Sequence, residues 1–256
     1  MTKNGGAIGL AVLVSCLATS AEAQGVCLLP GFPSLPLIET EANPVSVTSA
    51  DFDRDGHQDL AVVTESGGLH VLLGQGKGTF APRVDYSATE ALSSMTSADL
   101  NGDGHVDLAV TARASARVGV MLNRGDGTFG PRVDHGVGSA PASIATADFN
   151  GDGRPDLAVA ASGSGSVSVL LGRADGTFDP AVNHGVGTTP RSVTTADFNG
   201  DGDTDLAVAN SGSGTVSVLP GRGDVRGGLQ LGWQGRPGNF ELERPERQHP
   251  AECVSR

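Results

Sequence analysis

Apolar residues along most of the chain come in short alternating or continuous runs cut by glycine, as in SVSVLLG from Ser166 and DLAVAA from Asp156. A period near two in short runs is the pattern of β-strands rather than of helices. Around these runs it predicts strands over 143–147, 156–160, 166–172 and 177–182. The joins between them are rich in glycine, serine and aspartate, as at Ser162-Gly163-Ser164-Gly165 and Arg173-Ala174-Asp175-Gly176. Positive φ angles cost little at such residues, so the joins read as hairpin turns.

The pattern is repeated. The phrase ADFDRDGHQDLAV from Ala50 returns as ADLNGDGHVDLAV from Ala98, ADFNGDGRPDLAV from Ala147 and ADFNGDGDTDLAV from Ala196. The leading aspartates Asp51, Asp99, Asp148 and Asp197 are 48, 49 and 49 residues apart. A fixed period of this length means that each repeat is one supersecondary unit sharing its core with its neighbours. Short antiparallel strands in groups of four at this spacing are the signature of β-propeller blades. The expected fold is therefore all-β: a β-propeller of four-stranded blades, with about four recognisable blades in an incomplete ring.

Composition agrees. Glycine (38) and proline (14) are frequent in the 256 residues and aromatics make up 4%, which favours turns over long helices. Lysine and arginine number 17 against 29 acidic residues, for a net charge of -12. That balance argues against nucleic acid as a partner, because phosphate binding needs a basic surface.

The repeated phrase also carries candidate chemistry. Counting each loop from its first aspartate, side-chain oxygens occupy positions 1, 3, 5 and 9: Asp51, Asp53, Asp55 and Asp59; Asp99, Asn101, Asp103 and Asp107; Asp148, Asn150, Asp152 and Asp156; Asp197, Asn199, Asp201 and Asp205. Position 6 is always glycine, which lets alternate side chains converge. Position 7 (His57, His105, Arg154, Asp203) varies freely, as expected if only its backbone carbonyl is a ligand. Hard cations such as Ca²⁺ take six to eight oxygens, so one Ca²⁺ per loop is expected, up to four in all. An EF-hand would need a bidentate glutamate at position 12, where Val62, Val110, Val159 and Val208 stand in strand-like runs instead. Asp/Asn/Gly clusters are also plain turn formers, but the same four oxygen positions in four loops favour a metal. Four divalent cations would cancel two thirds of the net charge of -12.

The D-x-[D/N]-x-D-G-x-x-D-L loop is followed by V-x-V-L-x-G and by G-T-F-x-P (Gly78-Thr79-Phe80-Ala81-Pro82, Gly127-Thr128-Phe129-Gly130-Pro131, Gly176-Thr177-Phe178-Asp179-Pro180). This combination resembles the FG-GAP/VCBS repeats of secreted bacterial proteins and integrin α-subunit propellers, over residues 44–224. The resemblance implies a calcium-loaded propeller, usually seven-bladed, used in adhesion, in carbohydrate or protein binding, or beside an enzyme domain. Seven blades at this period need more residues than the chain has, which makes self-association to complete the propeller a further expectation.

The ends differ from the repeats. Residues 1–23 read as a signal peptide, with Lys3 ahead of an apolar run and a small-x-small site at Ala21-Glu22-Ala23. The alternative is a lipoprotein box ending at Cys16, which would tether the protein to a membrane. The expected location is accordingly secreted or cell surface, without a membrane span. Residues 24–43 form a linker or first strand, and the two remaining cysteines, Cys27 and Cys253, lie outside the repeats, so disulfides do not organise the fold. Beyond residue 224 the expected G-T-F never comes. Reading one nucleotide later from the codon of Gly228 permits DFNWDGKADLATSNSSG, a further aspartate loop. Residues 225–256 are therefore expected to be an out-of-frame reading of another blade.

Other motifs carry less. Arg124-Gly125-Asp126 and Arg222-Gly223-Asp224 spell RGD, but both occupy the repeat's G-x-G-D-G-T-F turn. His57 and His105 fall at loop position 7 and His135 and His184 at another shared repeat position, and together they form no catalytic cluster. No paired base and nucleophile is evident, and the chain is not expected to be an enzyme. The sequence thus predicts a secreted calcium-binding propeller acting as a binding or adhesion scaffold for a protein or carbohydrate. The alternative is the accessory propeller portion of a larger secreted enzyme truncated by a frameshift.

Overall fold

The computed structural model describes residues 38–40, 43–87 and 90–221. They form four antiparallel sheets in chain order. Blade 1 comprises β1 (Pro44–Ala50), β2 (Asp59–Thr64), β3 (Gly68–Leu72) and β4 (Val84–Ser87). Blade 2 comprises β5 (Leu92–Ala98), β6 (Asp107–Ala112), β7 (Arg117–Met121) and β8 (Val133–Gly136). Blade 3 comprises β9 (Pro141–Ala147), β10 (Asp156–Ala161), β11 (Ser166–Leu170) and β12 (Val182–Gly185). Blade 4 has three described strands, β13 (Pro190–Ala196), β14 (Asp205–Asn210) and β15 (Thr215–Leu219). Each sheet is a meander in which consecutive strands pair, and the first strands β1, β5, β9 and β13 stand side by side.

The burial of each strand follows from its place in this stack. The second strands β2, β6, β10 and β14 read DLAVVT, DLAVTA, DLAVAA and DLAVAN, and the first three are buried along almost their whole length. A strand flanked by sheets on both faces reads as a continuous apolar run rather than an alternating one. The outermost strands β4, β8 and β12 are four residues long and largely exposed, so the sheet edges they present are short.

Apolar cores lie between blades rather than within one. Phe52, Val63 and Leu69 of blade 1 pack with Met95, Leu108 and Phe129 of blade 2. Leu100 and Val118 of blade 2 pack with Ile144, Leu157 and Phe178 of blade 3, and Phe149 and Val167 of blade 3 pack with Val193, Leu206 and Val208 of blade 4. Among the described residues no apolar core joins blade 4 to blade 1, so the ring is open.

One expected strand is misplaced. Residues 177–181 are not a strand; Phe178 makes a single bridge to Gly172, and the fourth strand of blade 3 is Val182–Gly185. Pro180 has no amide to donate to a ladder, and Phe178 turns into the core between blades 2 and 3, so pairing resumes only beyond them. β11 likewise ends at Leu170, short of the expected residue 172. The signal peptide expected at 1–23, Cys16, Cys27, most of the expected linker at 24–43, and the tail at 225–256 lie outside the described residues. Among the described residues no helix is long and apolar enough to cross a membrane.

Candidate metal centre in the aspartate loops

Each aspartate loop joins the first strand of a blade to the second, so all four leave the same ends of the side-by-side strands β1, β5, β9 and β13. Within a loop the backbone curls around the carboxylate at position 1. Asp99 Oδ1 accepts the amides of Gly102 (2.8 Å) and Asp103 (3.1 Å), and its Oδ2 accepts that of Gly104 (2.8 Å). Asp148 takes the corresponding amides of Gly151 (2.7 Å), Asp152 (3.2 Å) and Gly153 (2.7 Å). Asp197 is bonded by Gly202 at 3.0 Å and Gly200 at 2.6 Å, and these bonds hold its carboxyl below the usual range. Successive amides aimed at one carboxylate need positive φ at positions 4 and 6. Glycine supplies it at both in the last three loops, whereas the first loop places Arg54 at φ 63 where the others have Gly102, Gly151 and Gly200.

The carboxylate at position 9 is fully buried in all four loops. It is the anchor of the loop. Asp59 accepts the Phe52 amide on Oδ2 and the Gly74 amide on Oδ1, both at 2.6 Å. Asp107 does the same with Leu100 (2.9 Å) and Asn123 (2.7 Å), Asp156 with Phe149 (2.9 Å) and Gly172 (2.7 Å), and Asp205 with Phe198 (2.9 Å) and Gly221 (2.7 Å). One side chain thus ties the start of the loop to the residue just beyond the blade's third strand. The partner residue was not singled out from the sequence. It is glycine in three blades because a Cβ would lie 2.3 Å from the Gln58 carbonyl oxygen at Gly74, 2.1 Å from that of Pro155 at Gly172 and 2.2 Å from that of Thr204 at Gly221. In blade 2 the place belongs to Asn123, whose Nδ2 donates to the carbonyls of Val106 (3.0 Å) and Phe52 (2.8 Å).

Positions 3 and 5 distinguish the first loop from the rest. In the later loops the position-3 amide donates to the position-5 carboxylate: Asn101 to Asp103 (2.8 Å), Asn150 to Asp152 (2.9 Å) and Asn199 to Asp201 (2.8 Å). The first loop has Asp53 there, which offers no donor to Asp55. Burial, reinforced by the like charges of Asp59, Asp55 and Asp51, raises the Asp53 carboxyl above its usual range. Oxygens of Asp51, Asp53 and Asp59 lie within 4.8 Å of one another. Three carboxylates at this spacing, with Asp55 beside them, are a hard-oxygen donor set of the kind that suits Ca²⁺. A carboxylate has lone pairs to spare after accepting one amide per oxygen, so the bonds made by Asp59 are compatible with a cation.

Burial also raises Asp107, and pushes Asp156 up to about 6, against the amides that favour its charged form. Asp103 goes the other way: burial opposes its charge, but bonds from the His105 amide and the Asn101 side chain outweigh it.

At position 7 the amide is used in every loop, donating to the position-5 carboxylate: His57 to Asp55 (2.8 Å), His105 to Asp103 (2.7 Å), Arg154 to Asp152 (2.9 Å) and Asp203 to Asp201 (2.9 Å). The side chains are not idle. The His57 and His105 rings lie against the turn glycines Gly76 and Gly125 of their own blades, and Arg154 Nε donates to the Gly172 carbonyl at 3.1 Å.

The G-x-G-D-G-T-F turn of one blade covers the aspartate loop of the blade before it. A Cβ on Gly127 would come within 3.4 Å of Asp53 Cβ, and one on Gly176 within 3.1 Å of Asn101 Cβ. The first RGD tripeptide sits in such a turn, where Asp126 Oδ1 accepts the amide (2.9 Å) and hydroxyl (2.6 Å) of Thr128, a turn-closing role; the second begins beyond the described residues. His70, which the sequence reading passed over, is buried with Nδ1 2.7 Å from Asp85. At the opposite ends of the first strands a cleft of about 220 Å³ is lined by Val45, Glu65, Ser93, Arg113 and Arg191 among others.

Meandering blades stacked through shared apolar cores, each with an aspartate loop at the same corner, define a repeat protein of β-propeller type. The family model for the FG-GAP-like repeat matches residues 51–110, 99–159 and 148–208, and the chain belongs to that family. No curated protein matches it. Among solved structures it is similar to a functionally unknown protein from Desulfotomaculum acetoxidans, with a TM-score of 0.52 at 17% identity, covering 77% of this chain and 62% of that one. It is also similar to an Agrocybe aegerita lectin described as recognising non-reducing terminal N-acetylglucosamine (TM-score 0.49, 23% identity, 71% and 50% covered). A third is BBS1N in complex with ARL6DN (TM-score 0.49, 17% identity, 67% and 54% covered). The chain therefore spans about half the length of the lectin and of BBS1N.

Proposed function

We propose that this chain is an exported calcium-binding scaffold that presents a stack of propeller blades to a protein or carbohydrate ligand and performs no chemistry of its own. The convergence of Asp51, Asp53 and Asp59 oxygens within 4.8 Å carries the calcium assignment. In the first loop Asp51, Asp53, Asp55 and Asp59, with the His57 carbonyl, would hold the ion. Asp99, Asn101, Asp103 and Asp107, then Asp148, Asn150, Asp152 and Asp156, then Asp197, Asn199, Asp201 and Asp205, with the carbonyls of His105, Arg154 and Asp203, would do so in the others. The bound ion neutralises carboxylates that the fold brings together and fixes the corner on which the next blade's turn rests.

Family membership supports the scaffold role, and the apolar run and Ala21-Glu22-Ala23 site of residues 1–23 support export. The cleft beside Arg113 and Arg191 is the concave surface offered to a ligand. Calorimetric titration of CaCl2 into the chelator-stripped protein tests the calcium assignment. Saturable heat is expected with a dissociation constant on the order of 10⁻⁴–10⁻³ M, the range of extracellular calcium modules. The signal should weaken when Asp53→Asn and Asp59→Asn are combined, and absence of saturable binding at millimolar calcium refutes the assignment.

A further inference from the structure

Both ends of the blade stack expose the surface that is buried at every internal junction. On the leading face Val47 is 62% exposed, whereas its counterparts Met95, Ile144 and Val193 are buried against the preceding blade. On the trailing face Phe198 is 42% and Val216 67% exposed, whereas Phe52, Leu100 and Phe149, and Leu69, Val118 and Val167, are buried against the following blade. These two faces are complementary, because the chain itself packs one on the other three times.

The details of the internal junction show what the open faces lack. Phe129 of blade 2 lies edge-on to two rings of blade 1, Phe52 (5.5 Å) and Tyr86 (5.9 Å), and its amide donates to Tyr86 Oη at 3.0 Å. Phe178 of blade 3 receives His135 of blade 2 edge-on at 5.5 Å. In blade 4 the counterpart of Phe52 is Phe198, whereas His184, the counterpart of Tyr86 and His135, belongs to β12 of blade 3. The phenylalanine that Phe198 would meet has its counterpart in Phe80 of blade 1. Gly78 of blade 1 likewise corresponds to Gly127 and Gly176, the glycines that rest on the preceding aspartate loop, and shares their positive φ of 75–77°.

We infer that two copies of the chain associate head to tail, blade 4 of one seated on blade 1 of the other, repeating the internal junction. Phe198 of the first copy then closes on Phe80 of the second, Val216 is covered by the blade carrying Val47, and Gly78 rests on the loop of Asn199. The contact is heterologous: it uses two different patches, unlike the self-complementary patch of a two-fold interface. The inference is independent of the calcium assignment, since it rests on apolar and aromatic positions alone.

Light scattering on the exported protein after gel filtration gives the first test. A mass that rises above the monomer with concentration in the micromolar range is expected; a monomer throughout overturns the inference and assigns the faces to another chain. Val47→Asp and Val216→Asp then test the geometry. Both side chains are exposed in the single chain, so the circular dichroism spectrum of each variant should match the parent. Each variant alone should be monomeric, because every head-to-tail contact needs both faces. A one-to-one mixture should regain a dimer, joined through the intact trailing face of Val47→Asp and the intact leading face of Val216→Asp. If one variant stays associated by itself, or the mixture remains monomeric, the head-to-tail arrangement is wrong.

Discussion

Gly172 donates its amide to Asp156 Oδ1 at 2.7 Å from a position so tight that a Cβ would lie 2.1 Å from the Pro155 carbonyl oxygen. Two constraints meet in this contact: the buried carboxylate needs the amide, and at Gly172 the backbone lies too close to the Pro155 carbonyl for a Cβ, whereas blade 2 makes the same bond from Asn123 with its side chain turned onto the Val106 and Phe52 carbonyls. The same arrangement joins Asp59 to Gly74 and Asp205 to Gly221. The aspartate loop is thereby fastened to the far side of its own blade whether or not a cation is bound.

Replacing Gly172 by alanine forces the chain apart at that point and weakens a bond to a buried carboxylate. A loss of roughly 2–4 kcal/mol in denaturant unfolding is expected. Gly136→Ala, where a Cβ would meet nothing within 4 Å, is the control and should change stability by less than about 0.5 kcal/mol.

Burial pushes Asp156 up to about 6, so the folded, metal-free protein holds the proton more tightly than the unfolded chain does. A carboxyl whose folded pKa is raised contributes stability that is complete below the unfolded value of 3.8 and lost as pH rises through about 6. In chelator, the stability of the parent relative to Asp156→Asn should therefore fall between pH 4 and 7, by on the order of 2 kcal/mol. Unfolding curves at several pH values check the slope. A carboxyl carbon of Asp156 titrating near 4 in the NMR spectrum would remove its basis.

Arg54 holds φ 63, a conformation that glycine occupies at the same place in the other three loops. Its side chain reaches the Gly104 carbonyl of the next blade, but that contact is exposed. Relief of the left-handed backbone should prevail, and Arg54→Gly is expected to raise stability by up to about 1 kcal/mol. A fall in the melting temperature would show that the cross-blade bond matters more.

Phe129 is buried between Phe52 and Tyr86, whereas among the described residues no blade precedes its counterpart Phe80. Phe129→Ala should cost about 3–5 kcal/mol and Phe80→Ala much less, measured on the protein diluted to the monomer. Equal losses would mean that the junction between blades is not where the aromatic burial acts.

The period, the strand content and the corner carrying the oxygens were all legible in the sequence, because Asp51, Asp99, Asp148 and Asp197 open the same phrase four times. What could not be read there was anything that depends on stacking. The bond from Asn123 Nδ2 to the Phe52 carbonyl spans 71 residues, and the seat of Gly127 on Asp53 exists only once two blades are packed. Position 9 was read as a metal ligand alone, since its two amide partners lie on different strands and leave no local signal. The displaced fourth strand has a nearer cause. Phe178 alternates correctly for a strand, but it is drawn into the core between blades 2 and 3 and followed at once by Pro180.

The central claim is that the aspartate loops bind calcium and that the folded blades depend on it. The most direct measurement is the melting temperature of the protein at neutral pH in several millimolar CaCl2 and in excess chelator. Ligands that bind only the folded state stabilise it by mass action, so a rise of several degrees in calcium is expected, saturating with concentration and absent with magnesium at the same level. Identical melting curves in calcium and chelator would contradict the account and leave the four loops as turns closed by hydrogen bonds.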